Sequence, residues 1–529
     1  MIRRTFLATI ALATLVSAIG LPPVQAAEVP KGKRPLNITQ FESAIKTLGV
    51  TRVATLDKVI TYATIPQLQD QFKQGSLTSE ELVTYYLWRI QRYDLNKLNS
   101  VTELNPDALE IAKTLDAERA AGKLRGPLHG TVALLKDNIG TGDKLHNTAG
   151  AKVLQEARSD RDAFLVRKLR DAGVIILGKA AMTEWAAWMG AKQPNGYSSV
   201  GGQVYSPYDK KMDPWGSSTG PAVAVVSNFA TFAIGTETWG SLSTPALFNS
   251  AAALKPSMGL ISRDRIIPIL DSQDVAGPLT RNVTDIALIM DAIVGTDPAD
   301  PITVAAATAP KGFAHNLDGN GLRGMRVGVF PGLTPEESDI NTEMITALHT
   351  AGAEVIELTP VPTDTVTEFD SEFTQLGYYG FKVGLERYLA ATHAPVQTLP
   401  EIIAFNLQDK MNRMKYGQEY VVSSSESTMS PEEYAKRSLA IGQKARKNID
   451  SLMAQYNLDM MGGTGLAVLL NAFYQGAGYP AIVIQAGYHN SNPIGFVLTG
   501  RLFDDSKLIH AAYTLEQQTQ AWQAPRISK

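Results

Sequence analysis

Apolar residues recur at helical spacing between residues 65 and 93. Ile65, Leu68 and Phe72 share one face; after Gly75, so do Leu82, Tyr85, Tyr86 and Ile90. Thr78-Ser79-Glu80-Glu81 lies between the two runs and carries the hydroxyl-then-acid spacing that caps a helix N-terminus, so a helix–turn–helix is predicted. Asn105-Pro106 opens another helix, to about Arg119. From 126 to 178 the pattern alternates between strand and helix. A strand is predicted over 132–135 and a helix over 164–171. Val174-Ile175-Ile176-Leu177 is a continuous apolar run of the kind buried on both faces of a sheet. Trp185, Trp188 and Met189 fall at helical spacing and read as core.

Segments 223–226 and 232–234 add to the α/β pattern. An apolar helix is predicted over 283–294, a surface connection over 295–311, a strand within 322–330, a helix over 344–351 and a strand over 355–358. Residues 363–456 are more polar and helical in pattern, with helices predicted over 381–389, 399–406 and 431–456. Within that stretch Ser423-Ser424-Ser425-Glu426-Ser427 reads as a solvated loop. The expected fold is α/β, a large mixed β-sheet wrapped by helices. Residues 27–56 show no clear period and read as an extension packed on the surface.

The first 26 residues have a different character. Arg3-Arg4 precede an apolar run, Phe6 to Leu21, that is short for a membrane span, and Val24-Gln25-Ala26 offers small residues for cleavage. Residues 1–26 are therefore expected to be an export signal, and the mature protein periplasmic or secreted. Arg3-Arg4-Thr5-Phe6-Leu7 also resembles a twin-arginine motif, although two arginines make an ordinary basic start. No cysteine follows the apolar run, which excludes a lipid anchor there. The expected organisation is a signal over 1–26, an extension over 27–64 and one large domain over 65–529.

Composition narrows the chemistry. The 529 residues contain no cysteine, which excludes disulfides, thiol catalysis and thiolate metal sites. The seven histidines show no paired ligand spacing, so neither a metal nor a cofactor is expected. The net charge is −3 with basic residues scattered, so nucleic acid is not indicated. His129 and His146 flank the segment around Lys136, but neither has a carboxylate at a telling spacing, and both read as structural.

What remains is hydroxyl chemistry. Two Ser/Gly turns, Gly216-Ser217-Ser218-Thr219-Gly220 and Gly235-Thr236-Glu237-Thr238-Trp239-Gly240-Ser241, flank an apolar run. Glycines in such turns let backbone N–H groups approach a ligand, and converging N–H groups stabilise an oxyanion. Lys136 closes the apolar run 131–135 and so stands at the end of a buried strand. Burial depresses a lysine pKa by up to ~3–5 units and turns the amine into a usable base.

The ordered set of motifs makes the chain resemble the amidase signature family of Ser–Ser–Lys hydrolases, and within it the bacterial peptide amidases. The motifs are Gly126-Pro-Leu-His-Gly130, Leu135-Lys-Asp-Asn138, Leu177-Gly-Lys179, Gly216-Ser-Ser218, Gly235-Thr-Glu-Thr238, Gly240-Ser241, Leu254-Lys-Pro256, Ser272-Gln-Asp274 and Ala276-Gly-Pro-Leu-Thr-Arg281. Within the segment 363–456, Phe381-Lys-Val-Gly-Leu-Glu-Arg-Tyr388 and Ile402-Ile-Ala-Phe-Asn406 point to the peptide amidases. The resemblance implies Ser241 as nucleophile, Ser217 as a bridging serine after a cis peptide bond, and Lys136 as base. It also implies an oxyanion hole from the backbone of Thr238, Trp239, Gly240 and Ser241, with Ser218 and Trp239 beside the substrate, and a helical insert over the site at about 363–456.

The chain departs from the family pattern at Trp215 and Thr219, where glycine is usual; a β-branched residue resists positive φ. Trp239 replaces a small residue and is read either as an aromatic wall of the acyl site or as a core residue. Ser243 stands where arginine is usual. Leu458-Asp-Met-Met-Gly-Gly-Thr-Gly465 replaces a strand ending in Ala-Pro-Thr, and the stretch after it is short, which predicts a more open pocket. The function expected is an exported amide hydrolase acting on peptide C-terminal amides or similar small amides. The alternatives are an ester or aryl amide hydrolase on the same residues and an impaired amidase-like binding protein.

Overall fold

The structure, a computed structural model, describes residues 33–61 and 63–527. The expected export signal lies outside the described residues. An 11-stranded sheet forms the frame. Its strands are β1 (Val101–Leu104), β2 (Val132–Lys136), β3 (Ile175–Ala180), β6 (Phe232–Glu237), β7 (Ala252–Lys255), β8 (Val275–Thr280), β9 (Arg326–Val329), β10 (Glu354–Glu357), β11 (Met460–Thr464), β12 (Ala481–His489) and β13 (Asn492–Thr499). The short strands β4 (Tyr197–Ser198) and β5 (Gly202–Gln203) make a separate ribbon. The sheet order is β1-β3-β2-β6-β8-β7-β12-β13-β11-β9-β10. β3, β2 and β6 run parallel, β8, β7, β12 and β13 continue antiparallel, and β11, β9 and β10 are again parallel to one another. The sheet is mixed, as expected.

Each inner strand is buried on both sides, which is why these segments read as unbroken apolar runs rather than alternating ones. Along β2, Val132 and Leu134 enter one hydrophobic core, and Ala133 and Leu135 the other. Helices α5 (Phe164–Asp171), α8 (Val283–Ile293), α9 (Pro335–Thr350) and α17 (Asp505–Thr519) cover the second core. The first lies under α1 (Glu42–Ile60), α3 (Ser79–Arg89), α4 (Ala108–Ala120) and α6 (Thr219–Val226), with α2 (Ile65–Lys73) at its margin and α7 (Ser243–Phe248) beside β13. Thr78 caps α3 as its sequence predicts: its Oγ1 accepts from Glu81 N–H, and its own N–H donates to Glu81.

The insert is helical throughout most of its length: α10 (Thr363–Ala391), α11 (Leu399–Leu407), α12 (Lys410–Arg413), α13 (Glu419–Ser425) and α14 (Pro431–Gln455), followed after β11 by α15 (Ala467–Ala472) and α16 (Tyr474–Ala477). It runs further than the sequence pattern suggested. α10 begins well before residue 381, and Ser423 to Ser425 close α13 instead of forming a solvated loop. Ser424 is buried, and its hydroxyl accepts from the indole N–H of Trp188 at 3.0 Å.

Three further expectations are corrected. The extension is packed, as expected, but it has a regular element: helix α1 buries Ile45, Val53, Leu56 and Ile60, and Phe41 before it is 2 % exposed. The period was hidden because Gly49, at φ +68°, kinks the helix and shifts the apolar phase. Arg52 clasps both oxygens of Glu81 and fixes α1 to the capped start of α3. Phe41→Ala is expected to destabilise the fold by about 3–5 kcal/mol in urea or thermal melts; a loosely laid extension would show no such effect. Trp185 and Trp188 are core, but on a turn with φ near +50° at Trp185 and Ala186 rather than on a regular helix. Segment 458–465 remains a strand. A side chain at Gly462 would meet the Phe496 ring at 2.7 Å, so the space is already filled by neighbours.

Candidate active site

Lys136 is the last residue of β2 and is fully buried. Its Nζ lies 2.7 Å from Ser217 Oγ, 2.8 Å from Thr236 Oγ1 and 3.1 Å from Thr236 O. Burial pulls its pKa down from 10.5 to about 7, against the pull of the Asp274 and Glu237 carboxylates, which favour the cation. Near neutrality this lysine therefore exists in both forms. As an amine it has two protons and one lone pair; Thr236 O can only accept, so the lone pair is left for a hydroxyl proton.

Ser217 follows a cis peptide bond from Gly216, as the family resemblance implied, and stands just before α6. Thr183 N–H donates to its carbonyl at 3.1 Å, and Thr244 Oγ1 donates to the Gly216 carbonyl at 2.8 Å. The two Ser/Gly turns come together here, because Ser218 N–H donates to Ser241 O at 3.0 Å. Ser218 itself is fully buried. Its hydroxyl engages both backbone groups of Thr236, so it ties the Ser217 loop to β6 and does not present that hydroxyl to the space beside Ser241.

Ser241 is 7 % exposed, on the turn between β6 and α7. Glu237 shapes that turn. One of its oxygens accepts from Leu242 N–H, Ser243 N–H and the Ser243 hydroxyl, each at 2.9 Å, placing a carboxylate at the start of α7 where N–H groups lack partners. The N–H groups of Thr238, Trp239, Gly240 and Ser241 donate to no acceptor among the described residues. Such a run of unspent donors beside a hydroxyl suits an oxyanion. Gly240 is needed: its φ is +70°, and a Cβ there would meet Leu469 at 2.5 Å. Leu469 belongs to α15, so the short stretch after β11 closes over the turn instead of leaving it open.

The departures from the family pattern are accommodated by packing. Trp215 does take the left-handed conformation, φ +53°, and is held by stacking on Phe248 with centroids 4.6 Å apart. Thr219 is the first residue of α6 and needs no positive φ; its hydroxyl donates to Trp215 O at 2.5 Å. Ser243 receives the Tyr474 hydroxyl at 2.9 Å. Trp239 is half-buried, and its ring meets Trp188 at 5.5 Å and Phe373 of α10 at 5.9 Å. Trp188 in turn meets Tyr378 and Tyr420. The indole thus packs with the insert beside the Ser241 turn, an arrangement compatible with both readings of Trp239. Gly377 permits the approach, since a Cβ there would meet Trp188 at 2.5 Å and Trp239 at 3.3 Å.

A cavity of about 490 Å³ lies beside Thr236 and Thr238, lined also by Asn138, Asp274, the Arg263–Ile269 loop and Tyr388 of α10. The sequence offers Thr236 and Asp274 only as parts of motifs, and Thr238 only as a backbone donor. Their roles as partners of Lys136 and of each other appear only once β6 and β8 are paired. His129 and His146 are structural: His129 Nε2 lies 2.9 Å from Leu115 O, and His146 Nδ1 lies 2.6 Å from Glu103. Among the described residues no group of three or more His, Asp or Glu has the arrangement of a metal site, and no helix is long and apolar enough to cross a membrane.

The chain matches a family model described as Amidase over residues 81–509. It is 37% identical over 479 residues to a probable amidase of Arabidopsis thaliana, covering 88% of this chain and 91% of that one. The solved peptide amidase of Stenotrophomonas maltophilia superimposes with a TM-score of 0.83 at 38% identity, covering 88% of this chain and 99% of that one. An amidase family protein from Bacillus anthracis gives a TM-score of 0.86 at 33% identity, covering 94% of this chain and 100% of that one.

Proposed function

The chain belongs to the amidase family, and we propose on that premise that it hydrolyses C-terminal carboxamides of peptides, or similar small amides, to acid and ammonia through Ser241, Ser217 and Lys136. The observation that carries the residue roles is the 2.7 Å approach of a fully buried Lys136 Nζ to Ser217 Oγ, on a loop bonded to the Ser241 turn. The neutral Lys136 amine takes the Ser217 hydroxyl proton, Ser217 takes that of Ser241, and Ser241 Oγ adds to the amide carbonyl carbon. The negative oxygen that forms lies among the N–H groups of 239–241. The C–N bond then breaks, the relayed proton passes to the nitrogen, and ammonia leaves an ester on Ser241. Water then adds to the ester carbonyl, its proton passing through Ser217 to Lys136; that proton returns to Ser241 Oγ as the ester C–O bond breaks, and the acid departs.

The peptide choice rests on the likeness to a peptide amidase; Trp239 beside the Ser241 turn is the side chain that would meet an apolar acyl group. Export of the mature chain is part of the same proposal and rests on residues 1–26; the N-terminal residue of the purified periplasmic or secreted protein tests it.

The test of function is ammonia release from a panel of peptide amides. Release from some of them supports the reading. Labelling of Ser241 by a serine-directed phosphonate without release from any would move the substrate to an ester or aryl amide. Neither release nor labelling would favour the binding-protein reading. The pH dependence is a second expectation. With a lysine pKa of about 7, the neutral base makes up roughly a tenth of the enzyme at pH 6 and nine tenths at pH 8. kcat/KM is therefore expected to rise about tenfold across that interval and then level off.

A further inference from the structure

Asp274 immediately precedes β8, whose first residue, Val275, pairs with Glu237 of β6. That register sets it across from Thr238, the residue that opens the oxyanion turn. The Thr238 hydroxyl donates to Asp274 Oδ1 at 2.6 Å. Ile269 N–H and Leu270 N–H donate to Oδ2 at 2.7 and 2.9 Å. One carboxylate thus joins the start of the nucleophile turn to the loop that walls the cavity, and it lines that cavity together with Thr236, the residue to which Lys136 donates.

We propose that Asp274 is a positioning residue for amide hydrolysis: it anchors the oxyanion turn through Thr238 and, through its charge, sets the pH at which Lys136 becomes a base. The proposal rests on the reading of Lys136 as that base. Two carboxylates act on the lysine, and they differ in kind. Glu237 is committed to the start of α7. Asp274 is the larger influence on Lys136 and is itself brought by burial to about 6, within reach of working pH. The charged or titratable groups near Asp274 are Lys136 from β2, Arg263 and Asp271 from its own loop, and Tyr434 from α14. Arg263 is spent on Asp300, which it clasps with two nitrogens, and Asp271 is bonded by Arg387. Asp274 favours the charged form of both Arg263 and Lys136, but Arg263 stays a cation throughout, so Lys136 is the one whose protonation at working pH Asp274 changes.

Two substitutions separate charge from anchoring. In Asp274→Asn the amide oxygen can still accept from Ile269 and Leu270, and the amide nitrogen can donate to Thr238 Oγ1, which is able to accept. The geometry is kept and the charge is lost. Without that negative neighbour the lysine holds its proton less well, so the acid limb of kcat/KM on a peptide amide is expected to move down by about one pH unit. Thr238→Val keeps the charge and removes the anchor. Its acid limb is expected to stay where the wild type has it, while kcat falls about tenfold. Should Asp274→Asn not yield folded protein, Asp274→Ser drops the same charge in a smaller side chain and carries the same expectation. An unmoved limb in the charge-free variant, or an equal shift in Thr238→Val, would overturn the proposal and leave Asp274 as a structural clamp. Lys136→Met, run alongside, tells the two readings apart: wild-type activity there would sink the base assignment itself, whereas an inactive Lys136→Met with an unmoved Asp274→Asn limb would sink this inference alone.

Discussion

Ser241→Ala is expected to lower ammonia release from peptide amides by on the order of 10⁵-fold while leaving the fold intact. The size follows from the role. Loss of the nucleophile removes the covalent route entirely, and what remains is transition-state binding by the N–H groups of 239–241, which in serine hydrolases is worth roughly 10³–10⁴ over water. The fold is expected to hold because, among the described residues, no hydrogen bond from the Ser241 hydroxyl supports the surrounding turn. Its carbonyl accepts from Ser218, and Glu237 grips Leu242 and Ser243; all these contacts survive in alanine. Substrate binding should therefore persist, and the dissociation constant of a peptide amide, measured by calorimetry on the variant, is expected to stay near the wild-type KM. A residual rate within tenfold of wild type would exclude Ser241 as nucleophile. Ser217→Ala makes an informative companion, because Ser217 O and the Gly216 carbonyl keep their partners while the proton path between Ser241 and Lys136 is cut.

Much of this arrangement was legible before the fold. β2, β3 and α3 were readable because continuous apolar runs and a capped helix start are local signals, and the structure places those segments where the pattern did. The candidate residues were readable because Lys136, Ser217 and Ser241 lie in short motifs in a recognisable order. The helix within the extension escaped notice because Gly49 breaks its period. The turn at Trp185 escaped because three residues at positive φ still leave apolar side chains at a deceptive spacing. Residue counts likewise misled at 458–475. Replacing side chains by Gly462 and Gly463 looked like lost material, yet Phe496 and the helix holding Leu469 fill the volume, which no local reading could supply.

The same limit applies to the site. Trp239 was undecided on sequence because an indole beside an oxyanion turn can face the core or the substrate. Its partners, Trp188 and Phe373, come from distant segments, and Gly377 on α10 is what allows three rings to meet. The long-range pairings of β6 with β8 and of β2 with β6 decide which carboxylate faces which amine. Motif order names the lysine; only the register gives it Thr236 and Asp274.

Lys136→Met is the sharper test of how this lysine works, because activity and stability are expected to move in opposite directions. Activity should fall by about 10²–10⁴-fold, the usual weight of a positioned general base, and the remaining rate should lose the acid limb near pH 7. Stability should not fall with it. In the folded chain the lysine pKa lies at about 7 against 10.5 in an unfolded one. Between those values the unfolded state binds the proton and the folded state does not, so the wild type gains stability as pH rises through that window and is penalised below it. Methionine has a similar length and no charge, so it escapes the penalty, and replacing a buried ion by an apolar residue of like volume is often neutral or stabilising. It does leave Thr236 Oγ1 and Ser217 Oγ short of a partner; Asn138 Nδ2, 3.1 Å from Thr236 Oγ1, covers the first. The variant is expected to melt at or above the wild-type temperature at pH 6.5, with its advantage shrinking by pH 9.5. A variant that melts well below wild type at pH 6.5 would mean that the lysine is a structural cation held by its carboxylates. An inactive variant with unimpaired stability at that pH would mean that the chain keeps a destabilising buried amine for its chemistry.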